Sequence, residues 1–465
     1  MPIRDLVLFG ILAVGVPLIL RHPWIGVLYW VWLGLMNPHR LSWGPAYDFR
    51  FALVVGGLTL AGLIFTRDER RWKGGIEVYL LALFIAWFCF TTLFAFNPDR
   101  ALPMLERALK VQVMVFVMLL LFNAKRHIDL LVWTIVLSIG FFGVKGGIYT
   151  IRTGAESGLV WGPPGSFIED NNAMGLALIV TIPYLYYLFA ESKRWWMKAG
   201  LLGATGLCAV AALGTYSRGA FLAILAMGAV LWWKSRHKLL LGVAVVVAIP
   251  FLIAFLPEKW EDRMRSIAEY KADTSAMGRL NAWQTAINVV RDHPIVGGGF
   301  EFHSPQVFAR YAPVPEDFHS MHSIYFQVLG EHGFVGLALF LAIWYFTWRT
   351  SARLLKMTKG QEELRWASNL VAMVQVSLVG YLVGGAFLNL AYWDLPYYSL
   401  AILIVVQDIV RRTAAAPSTE AGSAVAERPP PTGTPQAPPR PLVAKDTLRS
   451  EPPPFAPPGR GRIRE

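Results

Sequence analysis

The chain has 465 residues, of which 55% are apolar and only 16% charged, and it carries a formal charge of +12. An ordinary soluble domain is less apolar and about a quarter charged, so this composition excludes one. Apolar runs of membrane-spanning length recur along the sequence and predict an all-α polytopic membrane protein.

The runs fall near 6–20, 24–36, 51–66, 78–95, 104–122, 128–150, 173–190, 199–216, 219–234, 239–256, 323–348, 366–388 and 396–410. One arginine precedes the first run, but no small-residue cleavage site follows and Trp24 resumes the apolar pattern. The first run therefore reads as an uncleaved membrane segment rather than a signal peptide.

Basic residues gather in short loops: Arg67, Arg70, Arg71 and Lys73; Lys125 and Arg126; Lys193, Arg194 and Lys198; Lys234, Arg236 and Lys238; Arg349, Arg353 and Lys356; Arg411 and Arg412. The positive-inside rule places all of these in the cytoplasm. The net charge thus reflects topology, and no nucleic-acid partner is expected. Segment 257–321 holds slightly more acidic than basic residues and belongs outside.

Parity then sets the count. A single span over 6–36, kinked at Pro17 and Pro23, gives about twelve transmembrane helices and an internal N-terminus. A hairpin at Arg21-His22-Pro23 gives the alternative of thirteen, with the N-terminus outside. Two spans in so few residues would each be short, so twelve is the expectation. Cys89 and Cys208 both fall within predicted spans, where they read as packing residues rather than a disulfide or metal framework.

Residues 1–413 read as one membrane domain with the external insertion 257–321. From Ala414 to Glu465 the composition turns to Pro, Ala, Ser, Thr and Arg, with Pro429-Pro430-Pro431 and Pro452-Pro453-Pro454. Such a segment cannot bury a core and is expected to be a disordered cytoplasmic tail. No inverted repeat of the transporter kind is visible.

Within the insertion, Gly278 to His293 reads as an amphipathic helix. Leu280, Trp283, Ala286, Ile287 and Val290 share one face, which suits lying on the membrane surface. Thr274 and Ser275 are its possible caps, and Arg279 falls in its first turn. Gly297-Gly298-Gly299 then turns the chain.

The run His322-Ser323-Ile324-Tyr325 and onward through Glu331, Gly333 and Gly336 sets titratable groups at the edge of a span. Ionisable groups are costly there, which favours function over chance. Glu331 lies nine residues past His322, roughly 13 Å along a helix. That is too far for a direct bond, so Glu331 is expected to pair inside the bundle. His319 and His322 form a His-x-x-His pair, but no third ligand follows at helical spacing and no cysteine is external, so no metal is expected. His332 reads as structural.

Arg218, in Thr-Tyr-Ser-Arg-Gly-Ala, lies at the external mouth between two spans. Snorkelling to headgroups is the bland reading of it. Arg218, Arg279 and His322 are nevertheless all external and all near span ends. Two guanidinium forks suit a lipid diphosphate, and the start of the 279–292 helix would add backbone donors. Lys145 and Arg152 sit near the external end of their span, within reach of phosphates or glycan. Asp170, Asn171 and Asn172 suit sugar hydroxyls or a helix start equally well. Asp394 beside Tyr392 and Trp393 is sugar-binding in type.

The His-Ser-x-Tyr run with its Glu and two Gly resembles the signature of the O-antigen ligase and O-antigen polymerase superfamily of bacterial membrane glycosyltransferases. That family has an arginine in a Ser-Arg-Gly-like motif, matched by Arg218. A second sits in a Gly/Ser-Arg-x-x-x-Trp-like motif, matched by Gly278-Arg279 and Trp283, and the family's essential histidine is matched by His322. Met1-Pro2-Ile3-Arg4-Asp5, Trp30-Val31-Trp32, Met36-Asn37-Pro38-His39-Arg40, Gly162-Pro163 and Asp170-Asn171-Asn172 resemble the exosortase-associated O-glycosylation ligase branch.

The resemblance implies a GT-C-like helical arrangement in the bacterial inner membrane, with the active site facing the periplasm. It also implies an undecaprenyl-diphosphate-linked glycan donor and no required metal or other cofactor. The expected function is an inverting O-antigen ligase acting on a hydroxyl of lipid A-core. His322 is the base, Arg218 and Arg279 hold diphosphate, and Tyr325, Lys145, Arg152 and Asn172 are further substrate contacts. A protein O-glycosylation ligase, an O-antigen polymerase and, without catalysis, a polysaccharide transporter are the alternatives.

Overall fold

The computed structural model describes residues 2–154, 159–234, 238 and 274–415. The run at 239–256, the first part of the expected external segment through residue 273, and the tail from 416 lie outside the described residues. Contacts divide the chain into Met1–Ala416 and Pro417–Glu465.

The described helices are α1 (Ile3–Arg21), α2 (Pro23–Met36), α3 (Phe51–Phe65), α4 (Ile76–Thr92), α5 (Pro98–Leu121), α6 (Lys125–Thr153) and α7 (Asn171–Glu191). They continue with α8 (Trp195–Leu213), α9 (Arg218–Lys234), α10 (Thr274–Asp292), α11 (Pro305–Tyr311), α12 (Ile324–Met357), α13 (Arg365–Gly384) and α14 (Asp394–Ala415). No strand occurs among the described residues. By length and composition α1, α6, α7, α8, α12 and α13 are able to cross a membrane, while α2, α3, α4 and α9 are apolar but shorter. The architecture is that of a multi-pass, all-helical membrane protein.

The N-terminal segment departs from the expected single kinked span. Arg4 donates to the Leu41 carbonyl at 2.7 Å, whereas the Arg21 carbonyl accepts from the Thr66 hydroxyl at 3.1 Å and His22 meets Asp68 at 2.9 Å. The start of α1 is thus tied to the turn that follows α2 and its end to the end of α3, so α2 runs back beside α1. Residues 3–36 are a hairpin, the alternative to the favoured reading. Pro23 occupies the first helical position of α2, where its missing N–H costs nothing, and His22 leaves helical geometry between the two. Pro17 stays inside α1 without ending it. The price of the hairpin is that α2 spans only about 21 Å.

The basic loops at 67–73, 125–126 and 411–412 collect at one end of the bundle. Lys73 is buried and donates to the Leu119 carbonyl at 2.8 Å and to Asn123 at 2.7 Å. Arg412 donates to the Asn123 carbonyl, Arg71 pairs with Asp408 at 3.6 Å, and Lys125 pairs with Asp129 at 2.7 Å. At the opposite end Asn37 reaches the Pro164 carbonyl at 2.6 Å and Arg100 reaches Glu301 at 3.1 Å. Between the ends α7 is the most enclosed of the long apolar helices, with 78% of its apolar window buried.

α12 is not one continuous rod. Gly333 has φ 69° and ψ −169°, and the backbone of 294–295 fills the break. The Phe334 N–H leaves the helix ladder to bond the Pro294 carbonyl at 2.9 Å. A Cβ on Gly333 would lie 2.3 Å from the Ile295 oxygen, so glycine is required for both conformation and space. Gly298 and Gly299 donate to the carbonyls of Gly330 and Glu331 at 2.8 and 2.9 Å. The glycine run is therefore a docking strap on α12 rather than a loose turn.

Candidate active site

Three of the residues singled out in the sequence meet in one small cleft. Its lining includes Asn172, Arg218, Gly219, Arg279 and Phe387. Each reaches it for a local reason. Asp170 caps α7 by accepting from the N–H groups of Asn172 and Ala173 at 2.9 and 3.1 Å, which leaves Asn172 in the first turn. Asn171 is buried and ties α7 to the Thr215 carbonyl at 2.8 Å. Tyr216 takes a left-handed φ of 53° between α8 and α9, and Ser217 accepts from the Ala220 N–H at 3.2 Å as the cap of α9. Arg218 is consequently the first residue of α9. Two helix N-termini converge on the cleft, and such ends favour an anion. The cleft is narrow, about 10 Å³ and room for one water, so a ligand of diphosphate size requires its side chains to spread.

α10 brings Arg279 and clamps the extended segment that carries His322. The helix begins at Thr274, so Arg279 lies in its second turn rather than its first, and its N–H is not a free end donor. Asn281 donates to the Val314 and Asp317 carbonyls at 2.8 and 2.9 Å and accepts from the Val314 N–H at 3.0 Å. Trp283 donates to the Met321 carbonyl at 2.7 Å and stacks on Phe326 at 4.9 Å. The buried face is also rotated from the expected one. Ala282, Thr285, Ala286, Val289 and Val290 are buried, with Ala282, Ala286 and Val289 packing against Phe302, Phe308 and Met321, while Leu280 is 42% exposed. The alanines allow close packing that a hydrophobic count undervalues.

His322 sits at the end of this clamped segment with φ 42°, a left-handed conformation rare for a non-glycine and common at functional sites. Burial, and next the Arg279 guanidinium, push its imidazole down to about 4; Asp170 works in the other direction, and His319 and His303 add to the lowering. His322 is therefore a neutral imidazole at neutral pH, within electrostatic reach of Arg279. His319 packs its ring on Gly278 and pairs with Asp317 at 2.9 Å.

The other expected contacts are placed elsewhere. Tyr325 donates to the Leu382 carbonyl at 2.8 Å, tying α12 to α13. Lys145 lines a broad apolar groove of about 930 Å³ between α6 and α8, with Trp133, Phe141 and Leu201. Arg152 is exposed in the last turn of α6. Neither lines the cleft. His332 is buried against Thr91 at 2.7 Å, among Phe84, Phe88 and Phe300. The partners of Glu331 become visible: Tyr392 donates to it at 2.6 Å and the Glu301 N–H at 3.1 Å. Glu301, which sequence reasoning passed over, has φ 52° and bridges Arg100 at 3.1 Å and His303 at 3.5 Å. No local motif marks it, because its partners are 30 and 201 residues away.

Residues 203–341 match the family model described as O-Antigen ligase. Residues 3–192 match a model described as a family of unknown function (DUF5935). The first match contains Arg218, Arg279, His322, Tyr325 and Glu331; the second contains Lys145, Arg152 and Asn172. No curated protein matches the chain.

Proposed function

We propose, from the premise that this chain belongs to the O-antigen ligase superfamily, that it transfers a glycan from undecaprenyl diphosphate to an acceptor hydroxyl at the periplasmic face of the inner membrane. The observation that carries this reading is the convergence of Arg218, Arg279 and Asn172 on one cleft, with His322 electrostatically coupled to Arg279.

In the reaction the acceptor oxygen attacks the anomeric carbon. A new C–O bond forms there as the bond to the diphosphate oxygen breaks, and the configuration inverts. The hydroxyl proton passes to the neutral imidazole of His322, and undecaprenyl diphosphate leaves with the bonding pair. Arg218 and Arg279 offset the charge that gathers on the leaving group, as does the N-terminus of α9. The chemistry assigned to these residues needs no metal ion.

The donor also tunes the base. Arg279 holds the imidazole low in the free protein, and a bound diphosphate offsets that positive charge and raises the basicity of His322. The general base is thereby strengthened when a donor is present.

With the basic loops inside, the hairpin of α1 and α2 places the N-terminus outside. Together with the run at 239–256 it gives thirteen spans. Lipid A-core is the acceptor in this reading, and the opening residues of the chain are the ground for placing it in the exosortase-associated branch. Deleting the gene and resolving surface lipopolysaccharide on a gel tests the acceptor. Loss of the whole ladder with donor accumulating supports the ligase. A core bearing a single repeat indicates a polymerase, and an intact ladder with unglycosylated secreted proteins indicates a protein ligase.

A further inference from the structure

Two pairs of neighbouring residues link His322 to a part of the protein that the transfer mechanism leaves unused. His322 lies within electrostatic reach of Asp170 and His303. Arg107 of α5 lies within electrostatic reach of Asp394 first, and then of Glu169 and Glu301. Segments 169–170 and 301–303 thus each carry a charge within reach of His322 or Arg107, and Met321, beside His322, packs in one cluster with Phe302. Arg107 is fixed over the Phe167 ring at 3.7 Å and donates to the Gly165 carbonyl at 3.3 Å, while Glu169 accepts from the Gly165 N–H at 2.8 Å.

Glu301, paired with Arg100 and His303, has an unusual conformation. Its left-handed φ of 52° is one that a side chain seldom adopts, and its N–H is held by the buried carboxyl of Glu331. Glu331 is itself 1% exposed and fixed by Tyr392. The strap of Gly298 and Gly299 delivers Glu301 to this position, and Arg100 secures the far side by also bonding the His303 carbonyl at 2.8 Å. A purely structural ion pair needs no left-handed backbone. Strain of this kind persists where the surroundings over-determine a functional geometry. Although Glu301 is anchored, its side chain remains 31% exposed.

We propose that Glu301 is a binding residue for the acceptor, accepting hydrogen bonds from sugar hydroxyls that neighbour the attacking one, and that Glu331 is the positioning residue that sets it. A carboxylate accepts two hydroxyls at once, and the adjacent guanidinium of Arg100 supplies donors to hydroxyl or ring oxygens. The donor cleft and this acceptor side then lie on separate elements, with His322 coupled to both. The proposal rests on the transferase reading above.

The test uses the full-length protein in detergent, a short-chain polyprenyl-diphosphate sugar as donor and a lipid-linked core oligosaccharide as acceptor. Wild type, Glu301→Gln, Glu331→Gln and Glu331→Leu are compared at equal folded abundance, with each substrate varied in turn. Glu301→Gln is expected to raise the acceptor KM about ten- to a hundredfold, the usual effect of losing a hydrogen bond to a charged group, while donor KM stays within twofold. Glu331→Leu should shift the acceptor KM in the same direction, and Glu331→Gln, which keeps an acceptor for the Glu301 N–H, should recover most of it. An acceptor KM unchanged in Glu301→Gln, or a donor KM that rises in its place, overturns the assignment while leaving the transferase reading intact. No transfer by the wild type to any hydroxyl acceptor overturns both.

Discussion

Removing the charge of Arg279 should move the acid limb of the pH–rate profile, and the structure fixes the direction. The imidazole of His322 is lowered from 6.5 to about 4, which makes its protonated form about 3 kcal/mol less favourable than in water. Below that pH His322 is an imidazolium and cannot take the acceptor proton, so activity falls as pH drops through it. The profile of kcat/KM for donor reports the free protein, and kcat reports the loaded one. Wild type should therefore lose kcat/KM only near pH 4, and its kcat limb should lie higher, displaced toward 6.5 by the bound diphosphate. Arg279→Gln should raise the kcat/KM limb as well, because the second cause of the lowering is gone and burial remains. Initial rates of transfer in detergent, at limiting and saturating donor between about pH 3 and 9, give both limbs. A wild-type kcat/KM limb near 6.5 that Arg279→Gln leaves in place would refute the coupling.

The remaining predictions address the cleft, the broken helix and the topology. Arg218→Lys and Arg279→Lys retain charge but lose the planar fork, so each should cut donor-dependent transfer roughly tenfold or more; near-normal rates at equal abundance would return both residues to a packing role. Gly333→Ala should lower thermal stability in detergent by more than the roughly 1–3 kcal/mol of a side chain forced into this glycine-only backbone region, since its Cβ also meets the Ile295 oxygen. Gly10→Ala, which meets nothing within 4 Å, is the neutral control. Leu280→Cys on the outward face of α10 should react with a membrane-impermeant maleimide in intact spheroplasts, and labelling only after lysis would invert the proposed orientation.

The helical membrane architecture was legible because apolar run length is a strong signal that tertiary contacts do not alter. The N-terminal hairpin was misread because length alone favoured one span, and α2 is shorter than a typical crossing. The decisive information was the register of Arg4 with Leu41 and of Arg21 with Thr66, which no local pattern carries. The cleft residues Arg218 and Arg279 were legible from charge at span ends, and Asn172 from its place beside a capping aspartate. Lys145 was drawn to the same cluster by its depth along the helix, but its azimuth on α6 points it into the apolar groove. Glu301 was invisible because its meaning lies in a backbone angle and in contacts distant along the chain.

The break at Gly333 also decides how this protein can be recombined with its relatives. A boundary drawn where the apolar run begins, at residue 323, would separate the strap of 297–299 from the carbonyls it bonds at 330 and 331. The first turns of α12, through Phe334, belong by their hydrogen bonds to the segment before them. A segment that keeps the strap with its partners accordingly runs past 331, with its junction inside the helix. Chimaeras cut at that junction should exchange acceptor preference as a unit, whereas those cut at the start of the helix should lose the strap's partners and fail to assemble.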